Sequence, residues 1–411
     1  MYKKIFSFLI ILITLLSILT FSLANNELDT IYVWSNNATS LNEALNNKTV
    51  STTPVDLKLE SESAILIEQS TGKILYEHNS HEVLRPASVT KVMSILLIME
   101  ALDVGKISLT DKIPCTENAS NMGGSQIWLD VRETLTVDEM LKAICVASAN
   151  DCTVAMAEYL EGSEEAFVEK MNMRAKELGM KDTCFKNCHG LDTDGHVTSS
   201  YDISLMSREL LSKHPTITKY TTIWTDTLRD GKSGLTNTNK LIRNYEGATG
   251  LKTGSTGLAL FNLSASATRN GLSLIAVIMK APTTKVRFSE AQKLLDYGFS
   301  NYSFKQFAKK GEVLKNVNVT KGTTQSIETI FENDVGTLLQ KGSGSDIEQI
   351  ISMPDNITAP VTVGQKIGEI SYKLNGEVIC SVNIISNTEV KKISISNMME
   401  KLFFNWFRLL R

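Results

Sequence analysis

The 411-residue chain has no excess of positive charge: 42 Lys and Arg stand against 45 Asp and Glu, the net charge is −3, and the two signs are interspersed. Without a basic patch there is no electrostatic footprint for nucleic acid, and none is expected as a partner. No membrane-spanning apolar run occurs between residues 25 and 390, so a transmembrane signalling segment is excluded from that stretch. From about residue 305 onwards no cluster of chemically reactive side chains occurs either. Whatever chemistry the chain performs belongs to its first three quarters.

The apolar runs lie at the two ends. Lys3 and Lys4 precede a largely apolar stretch from Ile5 to Leu19, and Ser22-Leu23-Ala24 offers a small-x-small cleavage site. Residues 1–24 are therefore expected to be a signal peptide, and the polar residues 25–55 a flexible leader. Near the other end, Met399, Leu402, Phe403, Trp406, Phe407 and Leu410 fall at helical spacing, with Lys401, Asn405, Arg408 and Arg411 opposite. Such a stripe suits a helix lying flat in lipid headgroups, so residues 393–411 are expected to anchor an exported protein to the membrane surface. The expected location is the outer face of the cytoplasmic membrane and the cell wall.

Six cysteines (115, 145, 152, 184, 188 and 380) are unusual in an exported chain. Cys145 and Cys152, seven apart on a predicted helix, lie two turns along one face and too far apart to bridge. Cys184 and Cys188 pair only if the loop between them folds back. Free thiols are the expectation.

Between the ends the pattern changes twice. Ala64–Glu68 and Ile74–Glu77 read as strands joined by Ser70-Thr71-Gly72-Lys73. A helix from near Pro86 follows, and residues 135–213 are mostly helical in pattern, including Val137–Tyr159 and Glu164–Leu178, with a loop at 181–199. Leu258–Thr268 and Leu272–Lys280 flank Arg269-Asn270-Gly271, a hairpin signal, before a helix over Ser289–Tyr297. Strands, helical block, strands and helix make an α+β domain over residues 56–303, with helices on an antiparallel sheet drawn from both ends of the domain. Residues 304–392 read as a small all-β domain, with strands over Val313–Val319, Ser326–Phe331, Val361–Ile367, Gly368–Leu374 and Glu377–Ile385.

Three short fragments carry the chemistry. Ser88 and Lys91 sit in Pro86-Ala87-Ser88-Val89-Thr90-Lys91, one helical turn apart on the same face. Ser148-Ala149-Asn150 and Lys252-Thr253-Gly254 follow, about 60 and then about 100 residues later. Each alone is a common accident. In this order they form the S-x-x-K, S-x-N, K-T-G set of the active-serine enzymes. A serine hydroxyl attacks only when something takes its proton. Lys91 is the candidate base if desolvation and the neighbouring Lys252 charge keep its amine neutral. Ser148 is then the proton relay, Asn150 holds substrate backbone or Lys91, and Lys252 and Thr253 bind a carboxylate. Gly254 is expected to let substrate backbone approach, and the backbone N–H groups of Ser88 and Ser255 to form the oxyanion hole.

From about residue 58 to 300 the chain resembles the low-molecular-mass penicillin-binding proteins, the serine-type D-alanyl-D-alanine carboxypeptidases. Gly123-Gly124-Ser125-Gln126-Ile127, Ser148-Ala149-Asn150-Asp151, Phe167-Val168-Glu169-Lys170-Met171-Asn172, His189-Gly190-Leu191-Asp192 and Gly250–Ser255 all match family stretches. The resemblance implies a penicillin-binding, transpeptidase-like domain, a β-rich second domain and an amphipathic C-terminal anchor. It implies a peptidoglycan stem peptide ending in D-Ala-D-Ala as substrate, β-lactams as inhibitors, and no cofactor or metal. It also assigns Arg287, in Lys285-Val286-Arg287-Phe288, to recognition of the terminal carboxylate. Arg85 before Pro86 departs from the family's usual small or apolar residue, without touching the catalytic set.

Three other readings are weighed against this one. A β-lactamase of the class A kind needs a glutamate-held water from a loop about 35 residues after its second motif, and residues 178–208 contain no glutamate. Cys188, His189, Asp192, Asp194 and His196 crowd together as zinc ligands would, but in a stretch that matches a structural loop of the serine family. A non-catalytic β-lactam sensor or scaffold would usually carry the transmembrane segment that residues 25–390 lack.

Overall fold

The computed structural model describes residues 56–342 and 347–394, together with Met399. The expected signal segment and leader, and nearly all of the expected C-terminal helix, fall outside the described residues. Among the described residues no helix is long and apolar enough to cross a membrane.

Strands β1 (Ser63–Glu68) and β2 (Ile74–His78) open the first domain and pair antiparallel. They join β3 (Ala248–Thr256), β4 (Leu260–Arg269) and β5 (Leu272–Ala281) in one five-stranded antiparallel sheet, ordered β2-β1-β5-β4-β3. The chain thus returns after a long helical excursion to complete the sheet it began. Asn270 and Gly271 both take positive φ (49° and 79°) in the β4–β5 turn, as a tight hairpin with right-handed twist requires.

Both faces of the sheet are covered. Alternate residues divide between two cores: Ile65, Ile67, Ile275, Val277 and Met279 face the helical block. Ala64, Leu66, Leu274, Ala276 and Ile278 pack with Leu294 and Leu295 of the helix Thr284–Asn301. That is why β1 and β5 read as near-continuous apolar runs rather than as alternating strands.

At the centre of the helical block lies α1 (Lys91–Asp103), entered through a 3₁₀ turn over Ala87–Thr90. Its apolar residues are buried on every side, which is the pattern of a core helix rather than of a surface one. The predicted continuous helix Val137–Tyr159 is instead two. Helix α2 (Val137–Val146), started by a capping box between Thr136 and Glu139, stops before Ala147, and α3 (Asn150–Glu161) begins three residues later. The break holds Ser148 at φ +64°, a left-handed conformation that no run of helix-forming residues announces. Cys145 and Cys152 therefore do not share one helix. All six cysteines are free thiols.

Helices α4 (Glu164–Glu177) and α5 (Ser200–Lys213) complete the block, with an irregular segment between them. The helix α6 (Thr284–Asn301) starts five residues before the predicted one, capped by Thr283.

The residues that follow are all β. Strands β6 (Tyr302–Ala308) and β9 (Val335–Gln340) pair with each other. Strands β7 (Val313–Thr320), β8 (Ser326–Phe331), β10 (Ile347–Ser352), β11 (Asn356–Thr358), β12 (Lys366–Leu374) and β13 (Glu377–Ser386) form a sheet ordered β10-β12-β13-β8-β7-β11. The predicted strand Val361–Ile367 is not one: Val361 makes only an isolated bridge to Val390, and a turn through Gly364 intervenes.

Candidate active site

The 3₁₀ turn places Ser88 just ahead of α1, with Ala87 at φ +48° directly before it. Two non-glycine residues with positive φ, Ala87 and Ser148, thus occur in a single site, as expected where backbone strain is maintained for chemistry. The partially positive end of the buried helix lies behind the Ser88 hydroxyl.

Lys91 is fully buried, and its Nζ makes three contacts: Ser88 Oγ at 3.1 Å, Asn150 Oδ1 at 2.6 Å and the His189 carbonyl at 2.6 Å. The last two are acceptors only. Asn150 has its amide fixed, because Nδ2 donates to Gly123 O at 2.7 Å and so leaves Oδ1 for the lysine. A neutral amine has two N–H bonds and one lone pair. With both N–H bonds committed, the lone pair is left directed at Ser88 Oγ. Burial, followed by the positive charge of Lys252, holds Lys91 well below the ordinary amine range.

Lys252 is the second buried amine. It projects from β3, an edge strand, and donates to Ser148 Oγ at 2.9 Å and to its neighbour's carbonyl, Thr253 O, at 3.0 Å. Burial pushes it down to about 7. Lys252-Thr253-Gly254 thus lies within a strand of the sheet.

Gly254 is also required by packing within the protein. A Cβ there would meet Val89 N at 2.8 Å, Pro86 O at 2.9 Å and Ser88 N at 2.9 Å. The turn that carries Ser88 presses against this glycine. Ser255 follows as an exposed residue on the same strand.

Arg287 sits in the first turns of α6, buried, with Nη1 donating to Gly254 O and Asn262 O at 3.2 Å each. Its guanidinium lies over the rings of Phe288 (4.7 Å) and Phe261 (5.6 Å), and its Nε has no partner. Burial lowers it to about 10. An unspent donor on a buried cation beside the K-T-G strand suits an anionic ligand.

Several supporting residues went unrecognised in the sequence. The Thr238 hydroxyl accepts from Thr253 Oγ1 at 2.7 Å, and the flanking Asn237 and Asn239 are buried and bonded to backbone carbonyls, among them Gly250 O. An Asn-Thr-Asn run reads only as a turn. Glu164 accepts from Cys188 N at 3.0 Å and lies 3.4 Å from His189 Nε2, steadying the segment whose carbonyl holds Lys91. Gly190 packs so closely on Ala87 O that a Cβ would come within 2.0 Å of it.

The residues that resembled zinc ligands are committed elsewhere. His189 Nδ1 accepts from Leu191 N at 3.2 Å; His196 Nδ1 accepts from Lys186 N and its Nε2 meets Thr90 Oγ1, both at 2.8 Å. Among the described residues no three His, Cys, Asp or Glu side chains converge as a metal site.

Comparison with known proteins adds identity to this geometry. Residues 47–283 match the family described as D-alanyl-D-alanine carboxypeptidase, and residues 302–392 match the C-terminal domain of penicillin-binding protein 5. The D-alanyl-D-alanine carboxypeptidase DacF of Bacillus subtilis is 45% identical over 355 residues, covering 85% of this chain and 91% of its own. The fold is similar to penicillin-binding protein 5 of Haemophilus influenzae, with a TM-score of 0.67, 31% identity, and coverage of 83% of this chain and 100% of that one. It is also similar to the ampicillin-bound penicillin-binding protein D2 of Listeria monocytogenes, with a TM-score of 0.55, 32% identity, and coverage of 60% and 100%.

Proposed function

The chain belongs to the serine-type D-alanyl-D-alanine carboxypeptidases, and from that premise we propose the role of each residue in its site. The enzyme removes the terminal D-alanine from peptidoglycan stem peptides and is a target of β-lactams. Ser88 Oγ attacks the carbonyl of the penultimate D-alanine, and the Lys91 lone pair takes its proton. The developing oxyanion is held by the backbone N–H groups of Ser88 and Ser255. Ser148, hydrogen-bonded to Lys252, relays the proton from Lys91 to the departing amine, which leaves Lys91 neutral again, and terminal D-alanine leaves. Water then attacks the Ser88 ester, with Lys91 again as base, and releases the shortened stem. Lys252, Thr253 and Arg287 bind the terminal carboxylate.

One observation carries this assignment: two acceptor-only partners, Asn150 Oδ1 and His189 O, leave the buried Lys91 amine a single free direction, and Ser88 Oγ lies there. A β-lactam presents the same carbonyl and carboxylate, and acylates the same serine.

The catalytic domain we assign to residues 56–303, and residues 304–392 to a β domain that sets it off from its attachment. The exported protein works at the cell envelope. The amphipathic pattern of residues 393–411 supports attachment to the outer face of the cytoplasmic membrane, with residues 1–24 as export signal.

The test is D-alanine release from diacetyl-L-Lys-D-Ala-D-Ala by wild type and by Ser88→Ala. Release by the first, and a loss of about 10⁴-fold or more in the second, is expected. Equal release by both would overturn Ser88 as nucleophile.

A further inference from the structure

Trp128 is 76% exposed, yet its backbone is held in a conformation that costs energy. Its φ is +56°, where a bulky residue is a genuine outlier. The restraint is elaborate. Ile127 N and Leu129 N, on either side of it, both donate to the buried carboxylate of Asp151, at 3.0 and 3.1 Å. From the outside Arg229 donates to Ile127 O at 3.0 Å and to Trp128 O at 3.3 Å while paired with Glu133 at 2.6 Å. With its amide oriented as its neighbours require, Gln126 accepts from Trp128 Nε1 at 3.3 Å and donates to Met122 O at 2.8 Å. The indole is thus oriented, its N–H satisfied and its ring left to solvent.

The segment that presents it is bonded directly to the catalytic set. Asn150, which holds Lys91, donates Nδ2 to Gly123 O and its backbone N–H to Ser125 O, both at 2.7 Å. Ser125 is three residues from Trp128, so the two Cα atoms are at most about 10 Å apart. Asp151, the residue that fixes Trp128, directly follows Asn150. Burying a large ring would have stabilised the fold, and exposing one at a strained position does not. The arrangement has the form of a ligand platform.

We propose that Trp128 is a saccharide-binding residue, on whose ring a pyranose of the glycan strand stacks while the attached stem peptide occupies the cleft. This rests on the carboxypeptidase reading above. A π-face whose only polar group is already bonded selects for the flat C–H face of a sugar over a hydrogen-bonding peptide group. The enzyme's substrate joins a peptide to a glycan, and the small tripeptide of the activity test lacks the sugar.

The test compares kcat/KM of wild type, Trp128→Ala and Trp128→Tyr on three substrates: diacetyl-L-Lys-D-Ala-D-Ala, the free stem pentapeptide, and the disaccharide pentapeptide. Trp128→Ala is expected to lose about tenfold, through KM, on the disaccharide pentapeptide alone, and Trp128→Tyr to recover most of it. Acylation of Ser88 by labelled penicillin, which carries no sugar, should be unchanged and shows the variant is folded. A loss that already appears on the free pentapeptide would make the occupant a peptide side chain and overturn the proposal, as would no loss on any substrate. No release from any substrate by wild type would instead refute the carboxypeptidase reading on which the proposal rests.

Discussion

Lys252 Nζ donates to Ser148 Oγ at 2.9 Å, joining the edge strand of the sheet to the break between two helices across 104 residues of sequence. The contact gives the Ser148 hydroxyl a lysine donor, as the proposed proton relay requires. From the break between α2 and α3, Ser148, at φ +64°, presents its hydroxyl to β3.

Replacing Ser148 separates the hydroxyl from the backbone strain. Ser148→Ala keeps the strain and loses the hydroxyl; Ser148→Gly loses both. Each is expected to slow turnover by about 10²–10³-fold, while the glycine variant is the more stable by about 1 kcal/mol. Turnover and urea midpoints of the pair check this. A Ser148→Ala enzyme with near wild-type turnover would remove the relay from the mechanism.

As the base proposed for Ser88, Lys91 should set the acid limb of acylation. Its amine must be neutral to act, so the rate falls as pH drops through its lowered pKa. Lys252⁺ is part of what depresses that pKa. In Lys252→Met the Lys91 pKa therefore rises, and the acid limb, measured as acylation by a labelled penicillin, moves to higher pH. A limb that stays in place or moves lower would show that Lys91 is not the titrating base.

Acid should loosen the segment that holds Lys91. Burial, with the nearby Lys91 charge, lowers His189 to about 3, and burial, with Arg85, lowers His196 to about 4. An unfolded chain takes up these protons near pH 6.5, before the folded one does. Stability is therefore complete above that pH and is lost as pH falls towards about 4 for His196 and about 3 for His189. The full cost is on the order of 3–5 kcal/mol each. Between pH 7 and 5, before most carboxylates titrate, the urea midpoint should fall in wild type and fall less in His196→Gln. A flat wild-type midpoint would contradict the neutral, acceptor-bound rings.

Arg287→Ala should raise KM for D-Ala-D-Ala peptides about tenfold or more, with a smaller effect on kcat. Arg287→Lys should recover little, because an ammonium cannot keep the fork to Gly254 O and Asn262 O while serving a carboxylate. Steady-state kinetics on one tripeptide series separate the outcomes. An unchanged KM in Arg287→Ala would reduce this residue to a brace beneath Gly254.

Much of the molecule could be read along the chain. Four of the sheet's five strands announced themselves because both of its faces are covered, and Asn270-Gly271 fixed the hairpin between the last two; β3, which carries Lys252, did not. The reactive residues stood out because Ser88 and Lys91 share one helical face, a relation set by local geometry alone. The break at Ala147–Ala149 was hidden, since Val137–Tyr159 has helical periodicity throughout and tertiary contacts override it. Hidden too were Val335–Gln340 and Ile347–Ser352 as strands in the β domain.

By itself, then, the sequence determined the order of the motifs, the alternation of strand and helix, and the reaction class, all of which rest on residue type and short-range spacing. Only the tertiary structure decided that the His189 carbonyl and Asn150 would direct the Lys91 lone pair, that Gly254 yields room to the Ser88 turn, and that Asp151 would hold Trp128 out. The reason is physical: hydrogen-bond direction, burial and the strain of a backbone angle depend on groups far apart in the chain, and no local pattern encodes them.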